Sequence, residues 1–126
     1  MTKILIVDNQ KMLCDALQIY FEGRYEFIFT RTGKRALDLL KDPTVGIDIA
    51  VLDIELTFGI SGLETVIQAR KNGVEIPLLI WSARRPLRAL VGNLGVSGFV
   101  PKPLSLHEFD LAIREVAKAH LLVPSC

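Results

Sequence analysis

Ile49-Ala50-Val51-Leu52-Asp53 is four apolar residues closed by an acid, and the same grammar recurs three times in the chain. Asp8 follows Ile4-Leu5-Ile6-Val7, Ser82 follows Leu78-Leu79-Ile80-Trp81, and Lys102 closes Gly98-Phe99-Val100-Pro101. Runs this short and continuous, set between helix-like segments, read as buried strands of a parallel sheet. In such sheets the ligand crevice lies beyond the carboxyl ends of the strands. Two acids, a hydroxyl and an amine are therefore expected to converge there from distant points of the sequence.

Working outward, each run is followed by a helical pattern. Residues 10–22 carry Met12, Leu13, Ala16, Leu17, Tyr20 and Phe21 at spacings of three and four, which predicts a helix with one apolar face ended by Gly23. Tyr25 to Phe29 reads as a second strand. Thr32 is a cap for a helix through Lys41 with Ala36, Leu37 and Leu40 inward, stopped by Asp42-Pro43. Ser61 is a cap for a third helix with Leu63, Val66 and Ile67 inward, running to Asn72-Gly73. Pro77 opens the fourth strand, Pro86 a short helix ending near Gly92, and Gly95 to Gly98 the approach to the fifth strand. Ser105 and Glu108 form a capping-box pair before a last helix with Phe109, Ala112, Ile113 and Val116 inward. The sum is a (βα)5 α/β fold: a parallel sheet wrapped on both faces by helices through right-handed crossovers.

The chain is 126 residues, long enough for one core, and residues 1–126 are expected to form a single domain. A formal charge of +1 gives no global field for nucleic acid or an anionic membrane. The two cysteines, Cys14 and Cys126, lack metal or redox spacing, which fits reduced thiols in a cytoplasmic protein. Cys14, among Met12, Leu13 and Leu17, is expected in or near the core. No apolar stretch approaches the roughly 20 residues of a membrane helix.

The strand-end residues suit one chemistry. Two neighbouring carboxylates repel, and a divalent cation bound through oxygen relieves the repulsion. Mg2+ accepts one or two carboxylates and leaves room for a phosphoryl oxygen. A carboxylate beside that ion can act as a nucleophile and form an aspartyl phosphate. The transfer then needs positioning and charge neutralisation, which an amine and a hydroxyl supply. Asp53, Lys102 and Ser82 match those roles.

Four segments in this order resemble the receiver domain of two-component response regulators, the CheY-like superfamily. Ile4 through Asn9 resembles the acidic turn after the first strand, and Asp48 through Asp53 the phosphoacceptor strand. Ile80-Trp81-Ser82-Ala83 resembles the Ser/Thr-Ala switch turn, and Gly95 through Pro103 the lysine strand. The resemblance implies a flavodoxin-like doubly wound sheet of five strands in the order 2-1-3-4-5. It also implies that Asp53 accepts a phosphoryl group from a sensor histidine kinase or phosphotransfer protein, with Ser82 as switch hydroxyl, Lys102 as counter-charge and Phe99 as switch aromatic. Mg2+ would be held by Asp8, Asp53, the Glu55 backbone carbonyl and Asn9. The output partner, a further domain or a target protein, would engage the face of the fourth helix, fifth strand and fifth helix, where members of the family often pair as homodimers. Such a module is not an enzyme. The Lys102-Pro103 bond is expected to be cis, aiming the lysine.

The chain departs from the family pattern near the site. Asn9 replaces the second of two adjacent acids, which predicts weaker Mg2+ binding; the competing role for Asn9 is a cap of the first helix. Thr57 stands where relatives carry Pro, and Gly62 lies nine residues beyond Asp53 rather than eight, with Gly59 placed to absorb the extra residue. Nineteen residues separate Ser82 from Lys102, which clips the fourth helix. Glu55 and Arg84 are placed to pair across the mouth and slow loss of the phosphoryl group, although an exposed pair contributes little.

Three other readings compete. An atypical receiver acting as an unphosphorylated docking module is motivated by Asn9 and the altered loop. A haloacid-dehalogenase-like phosphatase would use Asp53-Ile54-Glu55-Leu56-Thr57, but places that motif on its first strand. A flavodoxin-like cofactor binder wants a phosphate loop where Asp8-Asn9-Gln10 stands, and no G-x-G-x-x-G occurs. Arg84, Arg85 and Arg88 read as a solvated basic loop, and His107 and His120 lack partners for a ligand or phosphodonor role. Leu121-Leu122-Val123-Pro124 has the character of an interdomain linker.

Overall fold

A computed structural model describes residues 1–54, 59–82, 95–101 and 105–122, with the side chains of residues 82, 101 and 120–122 excepted. Five strands, β1 (Thr2–Val7), β2 (Tyr25–Thr30), β3 (Ile49–Asp53), β4 (Leu78–Ser82) and β5 (Gly98–Pro101), form one sheet in the order β2-β1-β3-β4-β5. Every pairing is parallel. This is the expected flavodoxin-like order. It puts β3 at the centre, which is why all five of its residues are buried and its sequence reads as a continuous apolar run.

Helices α1 (Lys11–Tyr20), α2 (Gly33–Lys41), α3 (Gly62–Lys71) and a last helix (Leu106–Leu122) alternate with the strands. Thr32 and Ser61 cap α2 and α3 as expected, accepting from the Arg35 and Glu64 amides at 3.2 and 3.1 Å. Ser105 accepts from the Glu108 amide at 3.3 Å, one arm of the capping box. Such caps satisfy amides that have no partner within the helix. The expected fourth helix, residues 86–92, lies outside the described residues.

The sheet has two differently built faces. On one, α2 and α3 bury Ala36, Leu37, Val66 and Ala69 against Leu5, Val7, Ala50, Leu52, Leu78 and Ile80. On the other, α1 and the last helix bury Leu17, Phe21, Phe109, Ile113 and Val116 against Ile4, Ile6, Val51, Leu79 and Trp81. Two details correct the sequence reading. The inward face of α1 is Leu13, Cys14, Leu17 and Phe21, while Met12, Ala16 and Tyr20 are exposed. In α3, Thr65 and Ala69 are buried with Gly62 and Val66, and Ile67 is half-exposed, so the inward stripe is the one through Gly62, Thr65, Val66 and Ala69.

Candidate phosphoacceptor site

β1 and β3 are neighbours, and their last register pair is Val7 with Leu52. Asp8 and Asp53 each stand one residue further on, so the topology brings these two acids to adjacent strand ends. Both are nearly out of water, at 2 % and 6 % exposure. Backbone geometry fixes Asp8: its amide donates to the Thr30 carbonyl at 3.0 Å, and its Oδ1 accepts from the Gln10 amide at 2.7 Å. That second bond turns the chain into α1. The N-cap of α1 is Gln10, whose side chain makes no capping bond, so Asn9 does not cap the helix. It stands in the turn between Asp8 and the cap.

Asp53 is held from two sides. Its register partner on β4 is Trp81, fully buried, and the Ile54 amide donates to the Trp81 carbonyl at 3.3 Å. On the other side the first turn of α3 sits directly over its backbone. A Cβ built on Gly62 would overlap the Asp53 carbonyl oxygen and lie 2.8 Å from the carbonyl carbon. The glycine nine residues beyond Asp53 thus meets the end of β3. Gly59, with φ at +75°, takes the left-handed backbone that favours glycine.

β4 and β5 carry the other half of the site. Ser82 ends β4 in register with Pro101, and Phe99 pairs with Ile80 one step inside. Phe99 is half-buried, packed against the aliphatic cluster under α2 and α3. Lys102, Glu55, Thr57, Arg84, Arg85 and Arg88, the Glu55–Arg84 pair and the Lys102-Pro103 bond lie outside the described residues, as does the Ser82 side chain. Of the sequence-derived site residues, Asp8, Asn9 and Asp53 are therefore brought together at one edge of the site, and the backbone of Ser82 arrives on the next strand.

The donors suit a hard cation: two buried carboxylates on adjacent strands and one amide oxygen in the Asp8–Gln10 turn. That is the minimum Mg2+ asks of a protein that leaves other positions for water and phosphate. Among the described residues no group of three or more His, Cys, Asp and Glu side chains could hold a metal. A cavity of about 220 Å3 opens beside this edge, lined by Asp8, Asn9, Lys11, Cys14, Phe29 and Arg31 among others. Burial, then the charges of Asp8 and Asp15, push the Cys14 thiol up to about 11, so it stays protonated at neutral pH.

One polar cluster escaped the sequence reading. Asp110 on the last helix is 13 % exposed and accepts from the Tyr25 hydroxyl at 2.6 Å, from Arg24 at 2.9 Å and from Arg114 at 3.2 Å. Burial pushes its carboxyl up, but the hydrogen bonds from Tyr25, Arg24 and Arg114 prevail and hold it below the usual range. The cluster clasps the last helix to the start of β2. The available signal was an acid beside inward-facing Phe109, with an arginine one turn on.

Comparison with known proteins agrees with the geometry. Residues 4–114 match the response regulator receiver domain family. The response regulator SaeR of Staphylococcus aureus is 33% identical over 119 residues, spanning 92% of this chain and 50% of SaeR; the chain thus spans about half the length of the curated relatives it matches. The receiver domain of the Francisella response regulator 1452 superposes with a TM-score of 0.83 at 23% identity, over 95% of this chain and 99% of that one. The response regulator TrrA of Thermotoga maritima, solved in complex with Mg2+-BeF, superposes at 0.76 with 27% identity over 92% of this chain and 99% of its own. Among the described residues no helix is long and apolar enough to cross a membrane. With the strand order, the buried acids at the ends of β1 and β3 and these matches, the chain belongs to the response regulator receiver domain family.

Proposed function

We propose that Asp53 is the phosphoacceptor of a two-component signalling pathway. The observation that supports it best is a buried carboxylate at the carboxyl end of the central strand, beside a second buried acid on β1. In this reading an Asp53 carboxylate oxygen attacks the phosphorus of a phosphohistidine on a sensor kinase or phosphotransfer protein. The P–N bond breaks, and its electron pair returns to the histidine nitrogen. Asp8, Asp53, the Asn9 amide oxygen and the Glu55 backbone carbonyl would hold Mg2+, which would supply charge neutralisation to the phosphoryl group. Lys102 offsets a second oxygen, and Ser82 donates a hydrogen bond to a third. Phe99 then turns inward from its half-buried position, and the face around β5 and the last helix changes for an output domain, a target or a second receiver. The exposed stripe of Met12, Ala16 and Tyr20 on α1, which begins at the same edge of the sheet, supplies an apolar surface for the phosphodonor. The chain is one module, residues 1–126, acts as a signalling switch rather than an enzyme, and works in the cytoplasm.

Asn9 supports one refinement. With a single acid in the turn, Mg2+ binds more weakly than with two, and an Asn9→Asp variant is expected to tighten it about tenfold or more. Trp81 reads this directly, since it is buried beside Ser82 and paired in register with Asp53. Its emission should change on adding Mg2+ and again with beryllofluoride. Equal Mg2+ affinity in parent and Asn9→Asp would remove the role given to Asn9. Silence toward both reagents would favour the second reading, a phosphorylation-independent docking module, which the same asparagine motivates.

A further inference from the structure

We infer that Gly62 is a positioning residue for the acceptor, and that the steric seat of α3 on the Asp53 main chain sets where the Asp53 carboxylate stands. Gly62 is buried in the first turn of α3. It is not among the glycines with positive φ, so its backbone would accept any residue. Space is the constraint. An added Cβ would overlap the Asp53 carbonyl oxygen, and would lie 2.8 Å from the carbonyl carbon and 3.0 Å from the Ile54 Cα. All three are backbone atoms, so no side-chain rotation relieves the clash.

Neither partner has room to retreat. Behind α3, Thr65 is fully buried, and its hydroxyl donates to the Ser61 carbonyl at 2.7 Å. That hydroxyl fills the space over Gly33 of α2, where an added Cβ would overlap it. Behind Asp53, β3 is pinned to β4 by the Asp53–Trp81 pair and the bond from the Ile54 amide to the Trp81 carbonyl. A methyl group at position 62 must therefore lift α3 or shift the end of β3. Because Thr65 blocks the retreat of α3, the end of β3 yields, and that moves the Asp53 carboxylate relative to Asp8, which its bonds to Thr30 and Gln10 hold in place. Displacements near 1 Å at a reacting group cost roughly a hundredfold in rate.

The inference rests on the phosphoacceptor reading for its kinetic test and stands apart from it in a structural one. Parent, Gly62→Ala and Val66→Ala proteins are compared, the last loosening α3 by a core cavity without pressing on Asp53. Each is incubated with Mg2+ and a range of acetyl phosphate concentrations. The Gly62→Ala maximal rate is expected to fall roughly a hundredfold with little change in the half-saturating donor concentration. Val66→Ala should keep its rate within about twofold while melting lower. In parallel, amide exchange at Ile54 should quicken about tenfold or more in Gly62→Ala relative to Val66→Ala. If Gly62→Ala does not fold, Gly62→Ala/Thr65→Ala replaces it: α3 can then back into the space over Gly33 and relieve the clash, so folding and a rate within about tenfold of the parent are expected, and a loss near a hundredfold that persists overturns the inference. A phosphorylated parent with Gly62→Ala at the parental rate overturns the inference. An unphosphorylated parent sinks the phosphoacceptor reading alone; Ile54 exchange then decides, and equal exchange in the two variants overturns the positioning role.

Discussion

The face of the sheet under α2 and α3 is filled by aliphatic and small residues, with Gly33 making room for the Thr65 and Ile60 side chains and Gly62 letting α3 approach the β3 backbone. The face under α1 and the last helix is filled by rings: Phe109 lies 5.6 Å from Phe21 and 6.3 Å from Trp81, and Arg24 stacks over Phe21 at 5.3 Å. The Asp110 cluster then fastens the last helix at its rim. One face is tight at Gly33 and Gly62, where added atoms meet packed neighbours. The other depends on large side chains and is vulnerable to lost ones. The tight face meets the Asp53 backbone through Gly62 and also holds Phe99, while the ringed face holds Trp81, which precedes Ser82.

Three substitutions test this division. The largest effect is expected on the ringed face: Phe109→Ala should cost about 3–5 kcal/mol in urea unfolding, since it empties a fully buried ring site between Phe21 and Trp81. A cost below about 1 kcal/mol would mean that the face collapses without its rings. Next is Tyr25→Phe, which removes the 2.6 Å bond to the Asp110 carboxylate and should cost roughly 1.5–3 kcal/mol at neutral pH. Because the folded Asp110 carboxyl lies below its ordinary value, the stability it lends is complete above about pH 4 and is lost as pH falls through the folded value. The parent and Tyr25→Phe curves should therefore converge in acid; a gap that widened there would contradict the clasp. Smallest is the tight face. Gly33→Ala adds a methyl against Thr65 and Ile60 and should cost about 1–3 kcal/mol, and adding Thr65→Ala should relieve it. If Gly33→Ala were stabilising, as in an open helix, the close approach would not exist.

Much of the fold was legible because a central parallel strand leaves a continuous apolar run, and because Thr32, Ser61 and Ser105 announce their helices. The inward face of α1 was not. Its apolar residues come as doublets, Met12-Leu13, Ala16-Leu17 and Tyr20-Phe21, and either member of each fits a helical period. Tertiary packing chooses the second of each pair, leaving Met12 87 % exposed. The acids of the candidate site were equally readable, since each ends a run. The seat of Gly62 on Asp53 was not, because a close backbone approach leaves no mark except the glycine. Nor was Asp110, whose partners Arg24 and Tyr25 lie 86 and 85 residues away.

The central claim, that Asp53 is the phosphoacceptor, is tested most directly by intact-mass and peptide mapping after treatment with Mg2+ and acetyl phosphate. The account expects one added phosphoryl group in the parent, located on Asp53, not formed when Mg2+ is omitted and missing in Asp53→Ala. A parent that gains no phosphoryl group, or one that gains it equally in Asp53→Ala, would contradict it.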